Sequence, residues 1–119
     1  MKYMLLIYVD PTAPAGTPEE QAASTAEYGR FTQRIAQSGE LVAGERLQDA
    51  DTATSVRVRD GRTVTTDGPF AETREVLAGF YTIDAADLDR ALALGAELPG
   101  ARTGTVEVRP VFEMADMPG

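Results

Sequence analysis

Three observations predict an α+β domain. Short apolar runs of strand length alternate with stretches of helical periodicity, in the order strand, helix, strand, hairpin, strand, helix, strand. Only two stretches carry helix start signals, enough to cover one side of a sheet. The chain has 119 residues, 43% hydrophobic and 25% charged, which fits one domain large enough to bury a core.

Residues 2–9 are apolar at successive positions rather than alternating, the pattern of a strand covered on both faces. Asp10-Pro11 ends it. Thr17-Pro18-Glu19-Glu20 starts the first helix, with Thr17 as N-cap, Pro18 at the first position and Glu20 completing a capping box. Tyr28, Phe31 and Ile35 recur on one face as core until Ser38-Gly39 closes the helix. Leu41 to Leu47 reads as a strand in which Gly44 marks a bulge or a close backbone approach. Residues 48–52 form a polar turn, whose two aspartates supply too few oxygens for a calcium site.

Thr54 to Arg59 alternates, with Val56 and Val58 on one face and Arg57 and Arg59 on the other. Asp60-Gly61 is a two-residue hairpin signal, and Arg62 to Thr66 returns as its partner. Ala78 to Ile83 forms the next strand. Asp84 and Asp87 open the second helix, with Leu88, Ala91, Leu92 and Ala96 expected inward before Pro99-Gly100. Thr105 to Met114 is the last strand, with Val106, Val108, Phe112 and Met114 in register and Pro110 suited to an edge, a bulge or a bend.

This order is that of a ferredoxin-like βαββαβ unit with an additional β-hairpin in its middle. Two helices cover one face, while the first strand offers water no polar face. A second copy of the chain is the natural cover, which predicts a homodimer joined sheet to sheet.

The net charge of −8 argues against direct nucleic-acid binding, which needs clustered positive charge. The sequence has no cysteine and no histidine. Thiol chemistry, imidazole acid–base catalysis and the usual zinc ligands are thereby removed, so no cofactor or metal is expected. The apolar run at the start is too short to span a membrane and lacks the flanks of a signal peptide, which makes the cytoplasm the default location.

One stretch, Thr66-Asp67-Gly68-Pro69-Phe70-Ala71-Glu72-Thr73-Arg74-Glu75, is not explained by fold-building alone. It places a turn, an aromatic ring, three carboxylates and a guanidinium between two strands. Gly68-Pro69 breaks the preceding strand. Asp67 to Glu75, continued by Val76-Leu77-Ala78-Gly79-Phe80-Tyr81, resembles the signature of the DGPF branch of the YCII-related domain family. Residues 53–57, Asp60-Gly61 and residues 106–111 extend the resemblance over nearly the whole chain. The resemblance implies a small dimeric α/β barrel, mostly of unassigned function. Within the broader group a His–Asp pair is the proposed catalytic centre, and this chain lacks the histidine. The resemblance also implies a regulatory setting, since relatives are often encoded beside an alternative sigma factor.

A cavity is expected between the uncovered sheet face and the loops at its edge. Asp67 is the candidate catalytic residue, a general acid or base if desolvated. Tyr8, Glu72, Arg74, Tyr81 and Arg109 are the candidate ligand-binding residues, with Glu75 and Glu113 nearby. Arg74 or Arg109 would grip the carboxylate or phosphate of a small anionic ligand. Each has a structural reading beside it: Asp67 as a turn cap, Tyr8 and Tyr81 as core, Glu72 and Glu75 as solvated or ion-paired, Phe70 as a plug docking the loop on the core. Two functions follow: a non-catalytic ligand-binding or regulatory accessory module, and a cofactor-independent enzyme using Asp67 on a small anionic organic molecule.

Overall fold

The computed structural model describes residues 1–70 and 73–118. The chain runs β1 (Lys2–Val9), α1 (Pro18–Gln37), β2 (Leu41–Arg46), a 3₁₀ turn (Ala50–Thr52), β3 (Thr54–Arg59), β4 (Arg62–Asp67), β5 (Val76–Asp84), α2 (Leu88–Ala96), α3 (Gly100–Thr103) and β6 (Thr105–Pro110). Strands β2, β5, β1 and β6 form an antiparallel four-stranded sheet in that order, and β3–β4 form a separate two-stranded sheet. The α+β arrangement and strand order are compatible with a ferredoxin-like fold.

The local signals act where they were read. Thr17 Oγ1 accepts the Glu20 backbone N–H at 3.1 Å, capping α1 behind Pro18. The capping box is altered, because the Glu20 carboxylate turns to the Thr17 hydroxyl at 3.3 Å. Asp87 caps α2 by accepting the Arg90 N–H at 2.8 Å. Asp60 and Gly61 adopt φ of 52° and 74°, the left-handed pair that a two-residue hairpin turn requires. The strand containing Gly44 shifts register between Leu41 and Ala43. Gly44 itself stays in register opposite Tyr81, and a Cβ on it would lie 2.8 Å from the Tyr81 ring, so Gly44 marks the close approach while the irregularity falls just before it.

The core lies between the sheet and its helices. Tyr3, Leu5 and Ile7 of β1 and Ile83 of β5 meet Phe31 and Ile35 of α1, and Ala91, Leu94 and Leu98 at α2, all at most 6% exposed. The opposite side of β1, Met4, Leu6 and Tyr8, is only half-buried within one chain. The thinnest dimension of the molecule is 19 Å, the depth of one sheet and one helix layer at about 10 Å each.

Several expectations give way to tertiary packing. Leu88 and Leu92 are each 48% exposed and Ala96 faces out, so the inward stripe is Ala91, Leu94, Gly95 and Leu98. Gly95 faces β6, where a Cβ would stand 3.4 Å from Val106 and Val108, so this side of α2 is the one that packs on the sheet. Beyond Pro99 the chain returns to helix in the short α3; Gly100 opens it, donating its N–H to the Tyr28 hydroxyl at 3.0 Å. Strand β6 stops at Pro110, the end of an edge strand, and leaves Phe112 and Met114 at 68% and 85% exposure. Phe70 is no plug, since its ring is 74% exposed with the Arg57 guanidinium 5.4 Å from its centre. The valines of β3 find no core either, with Val56 and Val58 at 63% and 61% exposure.

Candidate functional site on the open sheet face

Directly opposed residues of neighbouring strands share a face. The register therefore defines the uncovered side: Met4 stands between Thr82 and Arg109, Leu6 between Phe80 and Glu107, and Tyr8 between Leu77 and Thr105. Glu45 of β2 joins the row beside Phe80. The face is an apolar strip with charge at both margins.

Tyr8 and Arg109, two of the candidate ligand-binding residues, belong to this face. Tyr81 does not. Its side chain is on the helix side, where the hydroxyl meets Thr32 Oγ1 at 2.7 Å and the ring packs edge-on against Phe31 at 5.2 Å. Arg74 is in the loop before β5, with its Nε 4.0 Å from Asp10 and its side chain 91% exposed. Glu72 lies outside the described residues. Asp67 ends β4 opposite Thr54, exposed and away from the four-stranded sheet. Its carboxylate accepts no hydrogen bond among the described residues. The described polar candidates therefore divide among four places.

The turn after Asp67 is held by other groups. Gly68 adopts φ of 93°, a conformation open to glycine. Its N–H donates to Ala53 O at 2.7 Å and its carbonyl accepts the Ser55 hydroxyl at 2.9 Å. This clamp shapes one wall of a cleft of about 350 Å³ lined by Leu47, Ala50, Ala53, Pro69, Val76 and Leu77. Leu77 lines the cleft and is also paired with Tyr8, so the cleft borders the end of the open face.

The far end of the motif is tied to the sheet. Glu75 accepts the Thr105 hydroxyl at 2.8 Å, and Thr73 donates to the Glu75 carbonyl. Thr105 faces Tyr8, which brings the Glu75 carboxylate to the margin of the same surface. Asp10, just beyond Tyr8 in sequence, has its carboxyl held below the usual range, first by the Thr12 hydroxyl at 2.7 Å and then by the Thr12 N–H. Glu113 is 4.0 Å from Lys2 and has no link to the motif among the described residues. The contribution of Glu75 to this edge rests on a contact 30 residues away in sequence, which local pattern does not encode.

Among the described residues no three carboxylates converge as a metal-binding set. No helix of the described residues is long and apolar enough to cross a membrane.

Comparison with known proteins agrees with the resemblance at the level of the broader YCII-related family. An uncharacterised protein of Rhizobium meliloti (strain 1021) is 38% identical over 114 residues, a match spanning 93% of this chain and 92% of that protein. The model of the YCII-related domain matches residues 1–115. The chain belongs to the YCII-related domain family.

Proposed function

We propose that the protein is a homodimeric binding module of the DGPF type that holds a small anionic organic molecule between two sheet faces. The observation that carries this reading is the open face, where Met4, Leu6, Tyr8 and Phe80 are left half-buried by the protein's own helices. Sheet-on-sheet packing against a second copy would bury that strip in the manner of a dimeric α/β barrel. Arg109 on the face would bind the anion through its forked donors, with the Tyr8 hydroxyl as a neutral partner and the apolar strip enclosing the carbon skeleton. By family resemblance, such a module would serve a regulator such as an alternative sigma factor.

A second reading draws on the Asp67 carboxylate, which no described group consumes as a cap. Acid–base catalysis by Asp67 would require the anionic substrate to reach the hairpin base rather than the sheet face. Native mass spectrometry of the purified protein separates these readings from a simple monomer. A dimer retaining a small acid, lost from Arg109→Ala and kept by Asp67→Asn, is the expected result. A stable monomer at low micromolar concentration by light scattering would sink the proposal.

A further inference from the structure

The β3–β4 hairpin is the part of the molecule least accounted for by its own chain. It pairs with no strand of the main sheet, and nearly every residue in it is exposed. A two-stranded hairpin is at best marginally stable when water bathes both its faces. The register places Arg57 opposite Val64 and Arg59 opposite Arg62, so three guanidinium groups share one face with Val64. Arg57 also covers the exposed Phe70 ring. None of the three arginines is ion-paired among the described residues, although the chain carries 19 carboxylate side chains.

Charge identifies what would cover such a face. With three arginines against two aspartates, residues 54–67 carry +1, leaving −9 on the remainder of a chain whose total is −8. The open face displays Glu45 and Glu107 beside Phe80 and Leu6. A surface of arginine, valine and phenylalanine meets there its complement in both charge and apolarity. At six residues per strand the arm spans about 20 Å, enough to reach over a second sheet.

We infer that the hairpin is an intersubunit arm, whose arginine face lies on the open sheet of a second copy and supplies cationic groups to the ligand site there. The inference rests on the dimer proposed above and deepens it. Each site is then composite, with Tyr8 and Arg109 from one chain and the hairpin guanidinium groups from the partner. The two arms exchange reciprocally about a two-fold axis.

The test uses the full chain carrying Arg57→Ser, Arg59→Ser and Arg62→Ser together, with Arg→Lys at the same positions as the charge-retaining control. The serine variant is expected to raise the dimer dissociation constant at least tenfold in sedimentation at 50 mM salt, to flatten its salt dependence, and to lose the retained anion. The lysine variant should keep most of the dimer affinity. Because the chain has no cysteine, Arg59→Cys carrying a short maleimide photocrosslinker maps the contact even if the serine variant misfolds. Adducts in residues 4–8, 43–45, 77–82 or 105–109 of a differently isotope-labelled copy are expected. A wild-type dimer with adducts only within the same chain, or with affinity unchanged in the serine variant, overturns the arm and leaves the binding module standing. A monomeric wild type overturns both.

Discussion

The two faces of the four-stranded sheet are built from alternate residues of the same strands, and on β1 the two sets have nearly equal apolar content and opposite fates. On β1, Tyr3, Leu5 and Ile7 are 3%, 0% and 6% exposed, whereas Met4, Leu6 and Tyr8 stay half-buried. Composition does not separate the sets; the location of α1 and α2 does. Apolar periodicity therefore selects which residues seek cover, while topology decides which of them the chain itself can cover. The hairpin repeats the lesson. Val106 and Val108 of β6 pack against the core, and Val56 and Val58, in an equally regular alternation, face out.

Substitutions on each face sharpen this contrast. Phe31→Ala on the covered side should have the largest effect, because the ring is 1% exposed and packs edge-on against Tyr81. A loss of about 3–5 kcal/mol is expected from transfer and cavity terms, lowering the melting temperature by on the order of 10 °C or more in calorimetry. Leu6→Ser on the open side should cost the isolated chain only about 1 kcal/mol, since half its burial is absent there. Its main effect should fall on association, with the dissociation constant of the proposed dimer raised on the order of 30-fold, as for an interface anchor. Equal thermal losses with unchanged association would erase the distinction between the faces.

Features written within four residues of one another were the legible ones. Thr17 and Pro18, Asp87, and the Asp60-Gly61 turn act through backbone groups beside them, so their outcomes match their signals. The inward stripe of α2 was not legible, because two helical stripes were available and packing against Val106 and Val108 of a strand distant in sequence chose between them. Nor was the partner of the Tyr81 hydroxyl, Thr32, which lies 49 residues away. At the candidate site, Tyr8 and Arg109 follow from alternation once the strands are paired, whereas the Glu75–Thr105 contact depends on loop closure.

The covered side is also where acid should act first. Glu40, 15% exposed, takes both prongs of Arg90 at 2.9 Å and the Ser38 hydroxyl at 2.7 Å. Arg90 first and Ser38 second lower its carboxyl from 4.5 to about 2. A depressed pKa in the folded state stabilises the protein above the unfolded value and is lost as pH falls. The contribution should therefore be intact above about 4.5 and fade on the way to about 2. Glu40→Gln should cost about 1 kcal/mol at neutral pH and flatten the acid limb of melting temperature against pH between those values. Asp10 and Glu27, lowered in the same direction by Thr12 and Arg102, should leave part of that limb in place. An unchanged acid limb would show that the Arg90 clip adds nothing in solution.

The smallest effect is expected at the residue that sequence alone made most prominent. Asp67 ends an exposed hairpin, and the turn after it is fastened through the Gly68 N–H to Ala53 and through the Ser55 hydroxyl to the Gly68 carbonyl. Asp67→Asn should therefore change stability by less than about 0.5 kcal/mol, as for a surface site without a structural partner among the described residues. Ser55→Ala, which removes one half of the clamp, should cost about 1 kcal/mol. Urea denaturation of the pair orders them directly. If Asp67→Asn proved the costlier, its carboxylate would be the cap that holds the motif, and the acid–base reading would lose its free carboxylate. If the expected order holds and a small acid is still retained by Asp67→Asn, the motif contributes to binding through the cleft it shapes and the Glu75 edge it fixes, rather than through the charge at its first position.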